Sequence, residues 1–337
     1  MPALSTFITS ITQDRFIPKV IENALDGNVL TMRLMRNQRT WNGGHQIVQP
    51  VNLSKYNQLG SYSGFDALST TQQNTRQTAT FNPSQVYVSM TISGIQKAVN
   101  SGDAAVVDLI ATEMEQRTRD FKDMIGDQVY SDGTGNSSKD ILGILAAVDD
   151  GTSVGTYGNL SRTTYANWKA TRTAQSGSLS LADIAADYDA AYIADEMPTI
   201  FITTPAVFTI YEALLTPTVS HQFSMNDFRM TSDGIARIGG AIAANQGFRA
   251  LTFRGVPFVA DPKCTSGNIF TLNENHLFFM RLPQPVGFTV ESERDGFGWT
   301  GWQQPVNQDA VTGRLQWYGQ LITDSPRTMA RRTGITS

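Results

Sequence analysis

Residues 101–133, SGDAAVVDLIATEMEQRTRDFKDMIGDQVYSDG, carry the longest uninterrupted helical pattern in the chain. Val106, Ile110, Met114, Phe121 and Ile125 recur at three-, four- and seven-residue spacings, which lays one apolar stripe along a helix. Glu113 and Glu115 precede Arg117 and Arg119 by four residues, the favourable order for ion pairs on the opposite faces. Ser101 or Asp103 is suited to cap the start, because a short side-chain oxygen satisfies an orphan N–H there. Asp132 and Gly133 are suited to end it. At about 1.5 Å per residue, some 28 helical residues make a rod of roughly 42 Å. By pattern alone it is an amphipathic core helix, and what flanks it decides its meaning.

Upstream, residues 45–53 (HQIVQPVNL) read as a strand, and residues 85–93 (QVYVSMTIS) alternate cleanly, with Val86, Val88, Met90 and Ile92 on one face. Between them lie about 30 residues rich in Ser, Thr, Gln, Asn and Gly, a connection too long for an ordinary compact domain. Tyr56, Leu59, Tyr62, Phe65 and Leu68 are spaced through it, with Lys55 and Arg76 near its ends. Bare side chains of this kind are an aggregation hazard unless a partner covers them, so these seven residues are candidate contacts to a neighbour. Before this stretch, residues 1–12 resemble an extended arm, residues 13–26 a short helix, and residues 29–35 a strand or a second helix.

Downstream of the rod, residues 178–196 and 205–215 read as helices around a buried-type strand at 198–203 (PTIFIT). From residue 248 the pattern is mostly strands, ending in one long strand at 309–324, DAVTGRLQWYGQLITD. The Gly-rich stretch 232–247 reads as a surface loop. Strand–helix alternation followed by strands points to an α+β or α/β layer.

The chain has 337 residues, 40% hydrophobic, with 26 Lys and Arg against 30 Asp and Glu, a net charge of −4. No basic arm or patch stands out of the kind that neutralises phosphates, beyond Arg327, Arg331 and Arg332. The single Cys264 excludes an internal disulfide. The first residues lack a basic region followed by an apolar core, so no signal peptide is expected, and no apolar run reaches the ~20 residues that span a bilayer.

Catalytic patterns are missing. His45, His221 and His276 have no metal-ligand spacing. Residues 60–64 (GSYSG) place Tyr where a nucleophile elbow needs Ser. Residues 133–139 (GTGNSSK) follow a helix instead of a strand and lack the closing Gly-Lys-Ser/Thr of a phosphate loop. Asp149-Asp150 reads as a turn. We expect no enzyme, no metal and no cofactor.

The order of these parts resembles the major capsid proteins of tailed double-stranded-DNA bacteriophages, with the Hong Kong 97-type fold. Three passages add to it: residues 130–135 (YSDGTG) followed by 141–145 (ILGIL), residues 149–170 (DDGTSVGTYGNLSRTTYANWKA), and residues 311–335 (VTGRLQWYGQLITDSPRTMARRTGI). The resemblance covers nearly the whole chain and implies an α+β capsid fold. It divides the chain into an N-terminal arm (1–43), an extended β-hairpin loop (44–95), a peripheral domain with the spine helix 102–132 (96–154), an axial domain (155–282), peripheral return strands (283–324) and a C-terminal axial strand (325–337).

The implied function is a structural protein of the virion that self-assembles, as hexamers and pentamers, into an icosahedral shell around double-stranded DNA. The implied partners are other copies of the chain, a portal, the packaged DNA through non-specific contact, and a separate scaffolding protein, since no long charged helical region precedes the arm. The implied site of assembly is the bacterial cytoplasm, with no membrane involved, and decoration proteins are left open. An encapsulin-type nanocompartment is the nearest alternative, and a secreted α/β enzyme a remote one. Some members cross-link a loop Lys to an Asn, helped by a Glu. Here Asp309 stands at the Asn and Gln316 at the Glu, with Asn307 two residues away. A Gln is no base at neutral pH, so no autocatalytic cross-link is expected. The rod's stripe is expected to pack on the strand at 309–324.

Overall fold

The computed structural model describes residues 28–99, 109–219, 250–282, 289–292 and 297–336. The expected arm, the helix at 13–26, the caps at Ser101 and Asp103, Val106, His221 and the Gly-rich 232–247 stretch lie outside the described residues.

Two six-stranded sheets carry the architecture. The first is built on β15 (Ala310–Thr323), whose one edge pairs antiparallel with β4 (Ser84–Ser93) over its first ten residues. β12 (Leu277–Arg281) and β14 (Phe297–Trp299) also pair with β15, and β1 (Gln38–Thr40) and β13 (Thr289–Ser292) flank them. One face of β4 turns inward, with Val86, Met90 and Ile92 buried and Val88 half-buried, as its period-two alternation dictates.

The second sheet runs β7 (Thr171–Ala174), β16 (Ala330–Thr333), β11 (Ile269–Leu272), β8 (Ile200–Thr203), β10 (Val256–Ala260) and β9 (Ala250–Phe253). Its central strands β8 and β11 are buried on both faces, which explains their continuous apolar text. Two helices, Leu181–Ala191 and Pro205–Val219, follow β7 and β8. They bury Ile184, Val207, Phe208 and Tyr211 against Phe201 and Phe258, with the Tyr211 and Phe258 rings stacked 4.2 Å apart. Burial pushes the Tyr211 phenol up to about 12. Ser180 and Asp183 form a capping box at the start of the first helix. The other face of this sheet shares one continuous core with the first sheet.

Residues 29–35, open between strand and helix in the sequence, form a helix, Val29–Arg36 (α1), capped by Asn28 Oδ1 on Thr31 N at 3.0 Å. The rod is the helix Leu109–Val129. Its end differs from expectation: the last regular turn closes at Val129, and Tyr130 and Ser131 bond back over three residues. Gly133 still takes a left-handed φ of +79°, but beyond the helix, where Asp132 accepts from Thr134 N at 3.0 Å.

Phe121 and Ile125 are buried and Met114 is half-buried, while Ile110 lies near the start of the described helix. Phe121 meets Phe297 edge-on at 5.2 Å. The strand under the rod is β4, with α1 beside it, so the expected seat on β15 is corrected to the neighbouring strand of the same sheet. Glu113–Arg117 at 3.5 Å and Arg117–Asp120 at 3.0 Å line the polar face, with Glu115 paired to Arg119. Gly126 lies within the rod where the cap of α1 comes closest: a Cβ there would overlap Asn28 Nδ2.

A buried carboxylate ties α1, the rod and the second sheet together. Asp261, at the end of β10, accepts from Val29 N (3.0 Å), Leu30 N (3.2 Å) and Tyr130 Oη (2.8 Å) on Oδ2, and from Lys263 N (3.0 Å) on Oδ1. Its charge complements the N-terminal end of α1. Burial first, and then the Asp261 charge, push the Tyr130 phenol well above its usual value, so it stays a donor. Lys263 reaches back to Asp123 (2.9 Å) and Asp127 (2.8 Å) on the rod.

Candidate assembly surface

The stretch expected to be one extended loop, 44–95, divides in two. Its last strand, β4, belongs to the first sheet. The hairpin is instead made by β2 (Ile47–Asn52) and β3 (Arg76–Phe81), paired antiparallel from Ile47–Phe81 to Asn52–Arg76. The sequence hid β3 because RQTATF offers only Ala79 and Phe81 to a core. Both are buried, as are Ile47, Val51 and Leu53.

This foot of the hairpin is docked on residues 156–168. Phe81 packs edge-on against Tyr157 at 5.1 Å, and Tyr157 lies 6.0 Å from Trp168. Thr80 N donates to Gly158 O at 2.9 Å, and Asn167 Nδ2 donates to Leu53 O at 2.8 Å. Gly158 has φ +57°, and a Cβ on it would stand 2.7 Å from the Phe81 ring, so close approach requires glycine there.

Beneath lies a charged core. Arg162, fully buried, donates to the carbonyl oxygens of Ala146 (2.7 Å), Ala147 (2.9 Å), Val154 (3.0 Å) and Trp168 (3.3 Å). The buried Asp149 carboxylate lies 3.9 Å from it and accepts from Gly151, Ser153 and Val154 N–H groups. Arg172 approaches the other Asp149 oxygen at 3.1 Å. The acidic pair read as a turn is thus a turn wound around its own first carboxylate, and it braces the seat of the hairpin.

The other end of the hairpin is bare. Residues 53–75 contain no regular strand or helix, and small contacts set their course. Tyr56 Oη lies 3.2 Å from Gln58 Oε1, Asn57 pairs with Gln73, and Ser63 N donates to Asp66 Oδ2 at 2.8 Å. Leu59 (80%), Tyr62 (67%), Phe65 (106%) and Leu68 (62%) are open to solvent, and Lys55, Tyr56 and Arg76 are exposed too. The structure brings all seven expected contact residues onto one arm. It did not need them for its own core.

The two residues that the resemblance sets at cross-linking positions make other contacts here. The Asp309 carboxylate lies against Gly94 so closely that a Cβ there would meet Asp309 Oδ1 at 2.3 Å, and Gln316 Oε1 accepts from Tyr318 Oη at 2.8 Å. Burial raises the Cys264 thiol, which keeps it protonated. Among the described residues no group of three or more His, Cys, Asp or Glu side chains forms a metal cluster, and no helix is long and apolar enough to cross a membrane.

No family model and no curated protein matches the sequence. Solved structures match over their full length. A chain of the cyanophage A-1(L) capsid asymmetric unit superposes with a TM-score of 0.75 at 16% identity, covering 98% of this chain and 99% of that one. The fold is that of Hong Kong 97-type capsid chains. The capsid of the native GTA particle matches with a TM-score of 0.64 at 10% identity, over 100% and 99% of the two chains. The holo-SrpI encapsulin complex from Synechococcus elongatus shares the same fold more distantly, at a TM-score of 0.58 and 10% identity, over 98% and 95%. Chains of a phage capsid and of an encapsulin complex thus share this fold.

Within this fold, the division of the chain expected from the resemblance can be set against the sheets. β4 lies inside the expected loop 44–95, and β12 lies before the expected boundary at 282, yet both pair with β15 in the first sheet. β16 joins the second sheet between β11 and β7.

Proposed function

We propose that this chain is a major capsid protein, a structural subunit that assembles with copies of itself into the icosahedral head of a tailed phage. One observation carries the reading: a chain with this fold keeps a row of large apolar side chains, Leu59 to Leu68, entirely outside its own core. On a lone subunit that row is a liability, and in a shell it is a contact surface. The first sheet with the rod forms the peripheral body, the second sheet the axial body, and residues 53–75 reach over the neighbouring subunit.

The remaining partners are proposed on the same reading: a separate scaffolding protein, a portal, and double-stranded DNA met without sequence reading by a chain of net charge −4. The product is a virion shell assembled in the host cytoplasm, without catalysis. With Asp309 and Gln316 in place of Asn and Glu, denaturing electrophoresis of mature particles should show single subunits and no covalent ladder.

Electron microscopy of the protein co-expressed with its scaffold should show closed icosahedral shells. Persistent monomers would overturn the reading. The encapsulin alternative shares the fold, and the content of purified particles separates the two: packaged double-stranded DNA supports the phage head, and an enzyme cargo without a genome supports the compartment.

A further inference from the structure

The two sheets are joined by neighbouring connections. Residues 273–276 lead from β11 in the second sheet to β12 in the first, and residues 324–329 lead from β15 back to β16. His276 stands where they meet. Its Nδ1 lies 2.6 Å from Asp324 Oδ1, and Asp324 N donates to His276 O at 3.3 Å. Its Nε2, buried without a hydrogen-bond partner, lies 3.5 Å from Glu196 Oε2, and that oxygen accepts from Asn273 Nδ2 at 3.3 Å.

Glu196 belongs to a tight loop, 192–197, ahead of β8. The loop folds on itself through Ile193 N to Glu196 O (3.2 Å) and Glu196 N to Ile193 O (3.0 Å), with Ala194 at φ +57°, and it exposes Tyr192 and Met197. The other charges around His276 are accounted for: Arg39 on β1 approaches Asp324 at 3.9 Å, and Glu274 is held by Arg33 of α1.

We propose that His276 is a proton-operated latch that, when protonated, holds loop 192–197 against the junction of the two sheets and, when neutral, lets it go. An imidazolium donates from both ring nitrogens, to Asp324 and toward Glu196; a neutral ring has one N–H to give. The short contact to Asp324 keeps that proton on Nδ1. Nε2 then turns a lone pair toward the Glu196 carboxylate, and Glu196, half exposed, turns to water. The backbone bond from Asp324 N to His276 O and the core shared by the two sheets do not depend on that proton, so the sheets stay joined while the loop leaves.

The sign follows from the partners. The hydrogen bond to Asp324, with both carboxylates adding, raises the His276 pKa against the opposing effect of burial. The held state is fully present below the ordinary histidine pKa and is lost as pH rises through the raised one.

Hydrogen–deuterium exchange of the full chain from mildly acidic to mildly alkaline pH, corrected for intrinsic exchange, tests this. The amides of Ile193 and Glu196 should exchange several-fold faster on the alkaline side, while those of β15 stay unchanged. His276→Gln and Glu196→Gln should each remove that pH dependence; Glu196→Gln changes a half-exposed side chain and guards against a His276 variant that fails to fold. Loop exchange flat with pH in the wild type, or the same pH dependence kept in either variant, overturns the latch.

Discussion

The two ends of the β2–β3 hairpin hold the same kinds of side chain in opposite surroundings. At the foot, Phe81 is buried against Tyr157 and Gly158, and the backbone is bonded to residues 158 and 167. Some fifteen residues away, Phe65 has no cover at all. The difference teaches that apolar spacing alone does not say whether a residue serves its own fold or another chain. What separates the two is the strand pairing beneath. The foot has a ladder and a seat, whereas the exposed side chains from Leu59 to Leu68 have neither a ladder partner nor a seat in this subunit.

That contrast can be broken from either side. Placing a charge in the framework should do most damage. Phe121→Asp buries an unpaired carboxylate between the rod and Phe297, and it is expected to leave aggregated or unfolded subunits, a loss of more than about 4 kcal/mol visible as collapse of the circular dichroism melt. Soluble variant that still builds shells would show that the rod's stripe does not hold the subunit together.

Next comes Arg332, which pairs with Asp187 through Nε (2.7 Å) and Nη2 (2.9 Å) in a buried site. Arg332→Ala leaves the Asp187 carboxylate without its partner, where burial already pushes its pKa up. The cost should be about 3–5 kcal/mol by chemical denaturation. Since the stranded carboxylate is relieved by protonation, the deficit should shrink at acidic pH.

At the foot of the hairpin, Phe81→Ala should cost about 3 kcal/mol in the same measurement, because it leaves a cavity beside Tyr157. At the tip the expectation inverts. Phe65→Ser should change subunit stability by no more than about 0.5 kcal/mol, as for other exposed positions, yet shells should fail to form or should dissociate at lower denaturant. Equal assembly by the Phe65 variant and the wild type would remove the tip from the interface.

How far the sequence reaches can be judged on the same elements. Long signals of one period were legible: the rod forms over its described middle, and the alternation of β4 and the apolar runs of β8, β11 and β12 form where their patterns place them. β3 was not, because six residues with two apolar positions are indistinguishable from the polar loop before them. The end of the rod was misplaced since Gly133 is a stop signal by type, but the three-residue bonds at Tyr130 and Ser131 close the helix earlier.

The seven candidate contact residues were legible as leucines, aromatics and charges in a polar stretch. Their anchor was not. Tyr157, Gly158, Asn167 and Trp168 meet the hairpin across the fold, and no local spacing announces a contact between residues 81 and 157. The latch at His276 was equally hidden, since its partners lie at 196 and 324 and a single histidine carries no motif.

One feature of the second sheet bears on timing during synthesis. β16 lies between β7 and β11, in register from Ala330 against Thr171 and Thr271. Until residues 330–333 have left the ribosome, β7 has no strand to lie beside, and the sheet is split into an orphan strand and a partial one. Contacts so distant along the chain also make for slow closure. The first sheet waits in the same way for β15. A growing chain can therefore extrude its hairpin arm, apolar side chains and all, long before either body is complete. On crowded polysomes, that interval is when neighbouring nascent chains would be most exposed to premature pairing, so holdase chaperones should engage stalled fragments ending before residue 330 more than the finished subunit.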